Sequence, residues 1–373
     1  RMGGAASGER NACNGKPGKH VLQPVAESMS IAPPRNATLD LAISVIGIWL
    51  ASGFIWDSWA HLHVPVETFF TPYHAIFYAA MVAGALIISA TALRNRARGY
   101  HGWNLLPKAY QGALIGVPIF FIGGVGDLIW HTIFGIEDRV DAVTSPTHLI
   151  IGIGVLTVTS APILSALEAR FELRTLASQI PVLFSLATWI EFLHLGTAYA
   201  FDPSAARMYA PPNAVLYSTD YFTNTTLLLY KTGTGVAVVI LESLIVMLFA
   251  VWLATRFRLR PGALTIFFVF GNCILAAALT NDTPLLATYL VMSFAAGIAA
   301  DILVARSSTA PLSGRSLHLF GFIVPVVYYG AYFVMTIATG GTWFDPPLLG
   351  GCLVWAGVCG LGISFLPSTQ AAQ

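Results

Sequence analysis

Asp57, His61, His63, Glu67 and His74 stand within 22 residues of one another, Gly53 to His74, in a chain that is otherwise very apolar. These are the side chains that ligate metals and move protons. Most of the pattern returns 70 residues later, between Gly124 and His148. Each copy reads Asp-x3-His, then Glu six residues after that His, then Ser or Thr followed by Pro-x-His. The first copy supplies Asp57, His61, Glu67, Thr71, Pro72 and His74; the second supplies Asp127, His131, Glu137, Ser145, Pro146 and His148. The second is four residues longer, between its Glu and its Ser-Pro.

Residues i and i+4 share a helix face, so Asp57 is expected beside His61 and Asp127 beside His131. His74 and His148 open the following helices. Each copy then offers one carboxylate and two imidazoles, a set that suits copper, iron or zinc and, with open positions, redox or Lewis-acid work. Two such sets form either two mononuclear sites or one shared centre. Glu67 and Glu137 are candidates to orient a ligating imidazole from behind. Glu191 and His194, three residues apart, are candidates for a third site, and Glu242 for a proton-relay carboxylate or a buried neutral acid. His63 points elsewhere than His61. Two other readings stay open: proton or ion handling without a metal, and hydrogen bonds that merely specify helix packing. Ionisable groups inside a membrane are costly and usually functional.

The elements that must position these residues are membrane helices. The chain is 56% hydrophobic and 10% charged, with mean hydropathy +0.71, against roughly 25% charge in soluble domains. Ten apolar runs approach spanning length: 38–61, 72–93, 110–133, 146–167, 175–199, 233–255, 262–280, 284–304, 316–339 and 347–366. The expected fold is an all-α polytopic bundle of about ten transmembrane helices. Residues 1–37 read as a poorly ordered cytoplasmic arm, 38–167 as two repeated helical hairpins carrying the Asp/His sets, and 168–373 as the remaining helices with a long outer loop at 200–232. Part of that loop is half apolar, fit to lie on the membrane surface or to cover the histidines. Pro118, Pro162, Pro181 and Pro325 predict kinks.

Of the 19 basic residues, all but Arg139, Arg207 and Lys231 fall on the side of the termini. The positive-inside rule then places both termini in the cytoplasm and the Asp/His cluster toward the outer face of the cytoplasmic membrane. A net charge of +1 implies no nucleic-acid partner. The four cysteines form no CxxC or CxxCH, which excludes a zinc ribbon and c-type haem attachment. Trp56, Trp59, Trp130 and Trp189 flank the cluster as interface anchors or as walls of an apolar pocket.

Asp57-x3-His61-x12-His74, followed by a related set on the next hairpin, resembles the C subunit of the copper membrane monooxygenases, the particulate methane and ammonia monooxygenase family. The likeness covers residues 53–148. It implies a copper site at Asp57, His61 and His74, with His131 and His148 matching the neighbouring set in order. Asp127 stands where that family usually has an amide, and the interval from His131 to His148 is longer. The implied function is a copper-dependent oxidoreductase acting on a small apolar substrate, with electrons from elsewhere and with partner subunits or further copies of the chain. The alternatives are a metal-ion or proton transporter using the same cluster, and a haem-anchoring or assembly subunit with histidines as axial ligands.

Overall fold

The computed structural model describes residues 32–64, 69–136, 144–170, 172–201, 221–274 and 283–366. The architecture is an all-α bundle. Its helices are α1 (Ala37–His63), α2 (Pro72–Ala97), α3 (Ala113–Phe134), α4 (Pro146–Thr159), α5 (Ala161–Glu168), α6 (Leu176–Phe201), α7 (Tyr221–Arg256), α8 (Ala263–Phe270), α9 (Thr283–Arg306), α10 (Gly314–Thr339) and α11 (Pro346–Ile363). Nine spans among the described residues are long and apolar enough to cross a membrane, with α4 and α5 counted as one. The expected span at 262–280 appears as α8; residues 275–280 lie outside the described residues. The arm (residues 1–31) lies outside them as well.

One expectation about the elements needs correction. The long outer loop at 200–232 is shorter, because α7 begins at Tyr221 and residues 221–232 are helical. Leu227 to Leu229 are strong helix formers and residues 221–232 hold no Gly or Pro, so nothing stops the helix from extending beyond its apolar core. The remainder of the loop lies outside the described residues, and with it the question of a cover over the histidines. Of the four prolines, only Pro162 adjoins an interruption, at Ser160 between α4 and α5. Pro118, Pro181 and Pro325 sit inside continuous helices.

Several helix ends show why they lie where they do. Asn36 caps α1 by accepting from the N–H groups of Thr38 and Leu39, and Asp345 caps α11 by accepting from Leu348. α8 follows Gly262, which has φ +89° and no side chain to offer. Asp301 of α9 supplies the cap instead, accepting from the N–H groups of Leu264 and Thr265 at 3.1 Å each and from the Thr265 hydroxyl at 2.7 Å.

The bundle has two apolar cores. One unites α1 to α4, with Ile43, Leu50, Phe77, Met81, Phe120 and Val155 at its centre. The other unites α6 to α11. α1 packs on α2, α3 on α4, and α6 lies against α1, joining the halves. Leu86, Leu93, Ile122, Ile133 and Ile153 are more than half exposed, the outward apolar belt that lipid contact requires.

The two hairpins are built alike. Gly53, four residues before Asp57, lets α2 approach until a Cβ there would stand 3.0 Å from the Phe77 Cα. Gly123, four before Asp127, does the same for α4: a Cβ would meet the Ile151 nitrogen at 2.9 Å. Phe77 and Ile151 each lie three residues past the hairpin's second histidine. Gly123→Ala is expected to cost about 1–3 kcal/mol by overpacking, read as an earlier thermal unfolding transition in detergent.

At the other end of α1, Asp40 is fully buried. It accepts from Arg35 at 2.8 Å, from the Ser165 hydroxyl at 2.8 Å and from the Tyr110 hydroxyl at 2.9 Å. This clasp fastens α1 to α5 and to the turn that precedes α3.

Candidate metal centre

The Ser/Thr-Pro-x-His motif is a helix start. Thr71 and Ser145 are N-caps whose hydroxyls accept the N–H of His74 at 3.3 Å and of His148 at 3.4 Å. Pro72 and Pro146 occupy the first helical position, where a missing N–H costs nothing. Each histidine is thus set in the first turn of its helix, at the mouth of its hairpin. Thr71 has a second role: its hydroxyl oxygen lies 3.0 Å from His74 Nδ1 and fixes the ring.

Asp127 is the hub. One carboxylate oxygen is 3.4 Å from His131 Nε2, 3.0 Å from His148 Nε2 and 3.0 Å from the Thr147 hydroxyl that donates to it. The other accepts from Tyr78 of α2 at 3.5 Å. His131 is held from behind: its Nδ1 lies 3.1 Å from the carbonyl of Gly135. A carbonyl only accepts, so Nδ1 carries a proton and leaves Nε2 to face Asp127. Gly135, with φ +85°, ends α3 and turns that carbonyl back.

The first hairpin joins the same locus. His74 Nε2 lies 3.5 Å from Asp57, and the His74 and His131 rings are 6.2 Å apart. His74, Asp127 and His131, all buried, each offer a ligand atom, and these atoms lie within 4.8 Å of one another. Asp57 is 6% exposed and has Asp127 and His148 as electrostatic neighbours. The two sets therefore adjoin as one cluster.

Asp57 faces His74; the His61 side chain, with which the sequence pairs Asp57, lies outside the described residues, as does that of His63. Glu67 and Glu137 also lie outside them. Glu191 accepts the N–H of Ile274 at 3.0 Å, and His194 pairs with Glu242 at 3.2 Å. Phe54 stacks on Phe192 at 5.1 Å, and Ile55, Leu195 and Ile274 pack together beside it, an apolar layer where α1 meets α6.

Tyr78, Thr147 and Gly135 were not singled out by motif. Each had a signal: Tyr78 follows His74 by four residues, Thr147 sits inside the Ser-Pro-x-His motif, and Gly135 follows His131 by four.

The donor set is of a type that could hold a metal ion. Ligands at about 2.1 Å from a tetrahedral ion stand about 3.4 Å apart, which is the range of the Asp–His separations given above. The set is buried, and two of its imidazoles are oriented through their far nitrogens, as ligating histidines usually are. Comparison with protein-family models, with curated proteins and with solved structures finds no match to this chain.

The cap and the ring contact can be separated by mutation. Ser145→Ala removes a cap and should cost about 1 kcal/mol. Thr71→Val removes a cap and the contact to His74 Nδ1, and should also lower metal affinity about 10–100-fold. A chelator-competition titration beside a thermal melt separates the two effects.

Proposed function

We propose that this membrane-helical protein is a metalloprotein whose Asp/His cluster holds copper and serves as an oxidoreductase site for a small apolar substrate. The observation that carries the reading is the convergence of His74, Asp127 and His131, from two different hairpins, within 4.8 Å. His74, His131, His148, Asp57 and Asp127 would hold the metal, and Thr71, Gly135, Thr147 and Tyr78 would orient them. Bound copper would supply one-electron chemistry at a position open to substrate. The likeness to the copper membrane monooxygenase subunit, carried by the Asp-x3-His…His motif, favours copper over zinc or iron.

What surrounds the cluster supports a fixed site over a conducting one. Phe54, Phe77 and Phe120 lie on its inner side, three residues before Asp57, three after His74 and seven before Asp127. Phe77 stands 5.1 Å from Phe54 and 5.5 Å from Phe120, ring centre to ring centre. An aromatic floor of this kind excludes water and hydrated ions.

The test is elemental analysis of purified protein, wild type beside His74→Ala and His131→Ala, one variant from each hairpin. Stoichiometric copper lost in both variants is the expected result. Wild-type protein without transition metal after reconstitution sinks the reading. Stoichiometric zinc would keep the site and remove the redox role.

A further inference from the structure

A second buried polar group lies in the other half of the bundle. Glu242 sits halfway along the Leu228–Arg256 span and is 8% exposed. Among the described residues its ion-pair partner is His194, Nε2 to Oε1 at 3.2 Å. Its other oxygen lies 3.4 Å from the Tyr328 hydroxyl, which also lies 3.0 Å from Asn272 Oδ1. Four elements meet there: α6, α7, α10 and the segment after α8.

The amide of Asn272 is fixed, because its Nδ2 donates to the Phe268 carbonyl at 2.6 Å. Its oxygen is therefore the face shown to Tyr328. The tyrosine has one proton and two acceptors. A carboxylate is the stronger acceptor when ionised and a poor one when protonated, so the direction of that hydroxyl depends on the charge of Glu242. Among the described residues, the other titratable groups around this network are Tyr289 of α9, Tyr329 of α10 and Cys273, which neighbour Tyr328 or Glu242, Tyr332 of α10 and Cys352 and Cys359 of α11, which neighbour Tyr329, and Glu191 of α6, which neighbours Cys273.

We infer that His194, Glu242, Tyr328 and Asn272 form a proton-binding site inside the membrane, separate from the Asp/His cluster, in which Tyr328 swings between Glu242 and Asn272 as Glu242 loses and gains its proton. His194, 3% exposed, lies seven residues before the end of α6 at Phe201 and is the member through which protons pass. On uptake, a proton from water enters at His194 and passes to Glu242; Tyr328 then donates to Asn272. On release the proton returns through His194 to water, and Tyr328 donates to the carboxylate.

Infrared difference spectra between acidic and neutral pH, on the full chain in lipid vesicles, test this. Wild-type protein should gain a carboxylic-acid carbonyl band on acidification and, with the same midpoint, shift an asparagine amide band. Glu242→Gln should lose both signals. Tyr328→Phe should keep the acid band and lose the coupled amide shift. His74→Ala should leave both intact, since it belongs to the other cluster. If Glu242→Gln does not fold, carbon-13 labelling of glutamate in wild-type protein identifies the acid band by its isotope shift. No acid band that responds to the substitution or the label overturns the proposal, and a coupled amide shift that survives in Tyr328→Phe overturns the swing.

Discussion

Asp127→Ala should lower metal affinity by more than about 100-fold, beyond the range for removing a residue that only orients a ligand. It should also destabilise the fold by about 3–5 kcal/mol, the range for removing one partner of a buried charge pair. The reason is the number of groups that share this carboxylate. Asp127 is 1% exposed; it faces His131 and His148 and accepts from Thr147 and Tyr78. Without it, two imidazoles and two hydroxyls from α2, α3 and α4 lose their common partner. Asp127→Asn keeps the shape and an acceptor for Thr147, so it should fold near normally while binding metal more weakly. Metal content and a thermal melt on the two variants separate ligation from packing. Normal metal content in Asp127→Ala would remove Asp127 from the ligand set.

Asp40→Ala should cost a comparable 3–5 kcal/mol, by the same estimate of about that size for a broken buried pair, with metal content unchanged. Arg35 and two hydroxyls converge on its carboxylate, and the substitution leaves them without it. Asp40 and Asp57 are 17 residues apart on α1, about 26 Å at 1.5 Å per residue, so the clasp and the cluster should not couple. Combining Asp40→Leu with Arg35→Leu should recover part of the loss, because an apolar replacement of a whole buried pair is often neutral. Unfolding of the purified protein, followed by circular dichroism, measures both. Loss of metal in Asp40→Ala protein that is still folded would show that the two ends of α1 communicate.

Composition and hydropathy alone determined the fold class and most helix positions, because each span must satisfy its own backbone and present apolar side chains to lipid. The predicted starts at 72 and 146 agree with α2 and α4 because Thr71-Pro72 and Ser145-Pro146 are local cap chemistry, written in consecutive residues. The pairing of Asp127 with His131 was legible for the same reason: four residues on one helix share a face. The start of α7 was misjudged because hydropathy marks only the part of a helix that must avoid water.

Other facts depended on which helices pack together, and that is decided by tertiary contacts. Periodicity on α1 could not show that α2 brings His74 to Asp57. The question of one centre or two was open until α2 and α3 came together and set Tyr78 and His74 beside Asp127. Glu191 and His194 share a helix and a spacing, and each also finds a partner beyond its own helix, at Ile274 and at Glu242. The sequence by itself determined that this chain is a polytopic bundle with two Asp/His hairpins. Only the tertiary structure decided that the hairpins share one cluster and that Glu242 and His194 belong to another. The physical reason is range: caps and helix faces depend on neighbours within a turn or two, whereas a cluster assembled from four helices depends on packing between residues far apart in the chain.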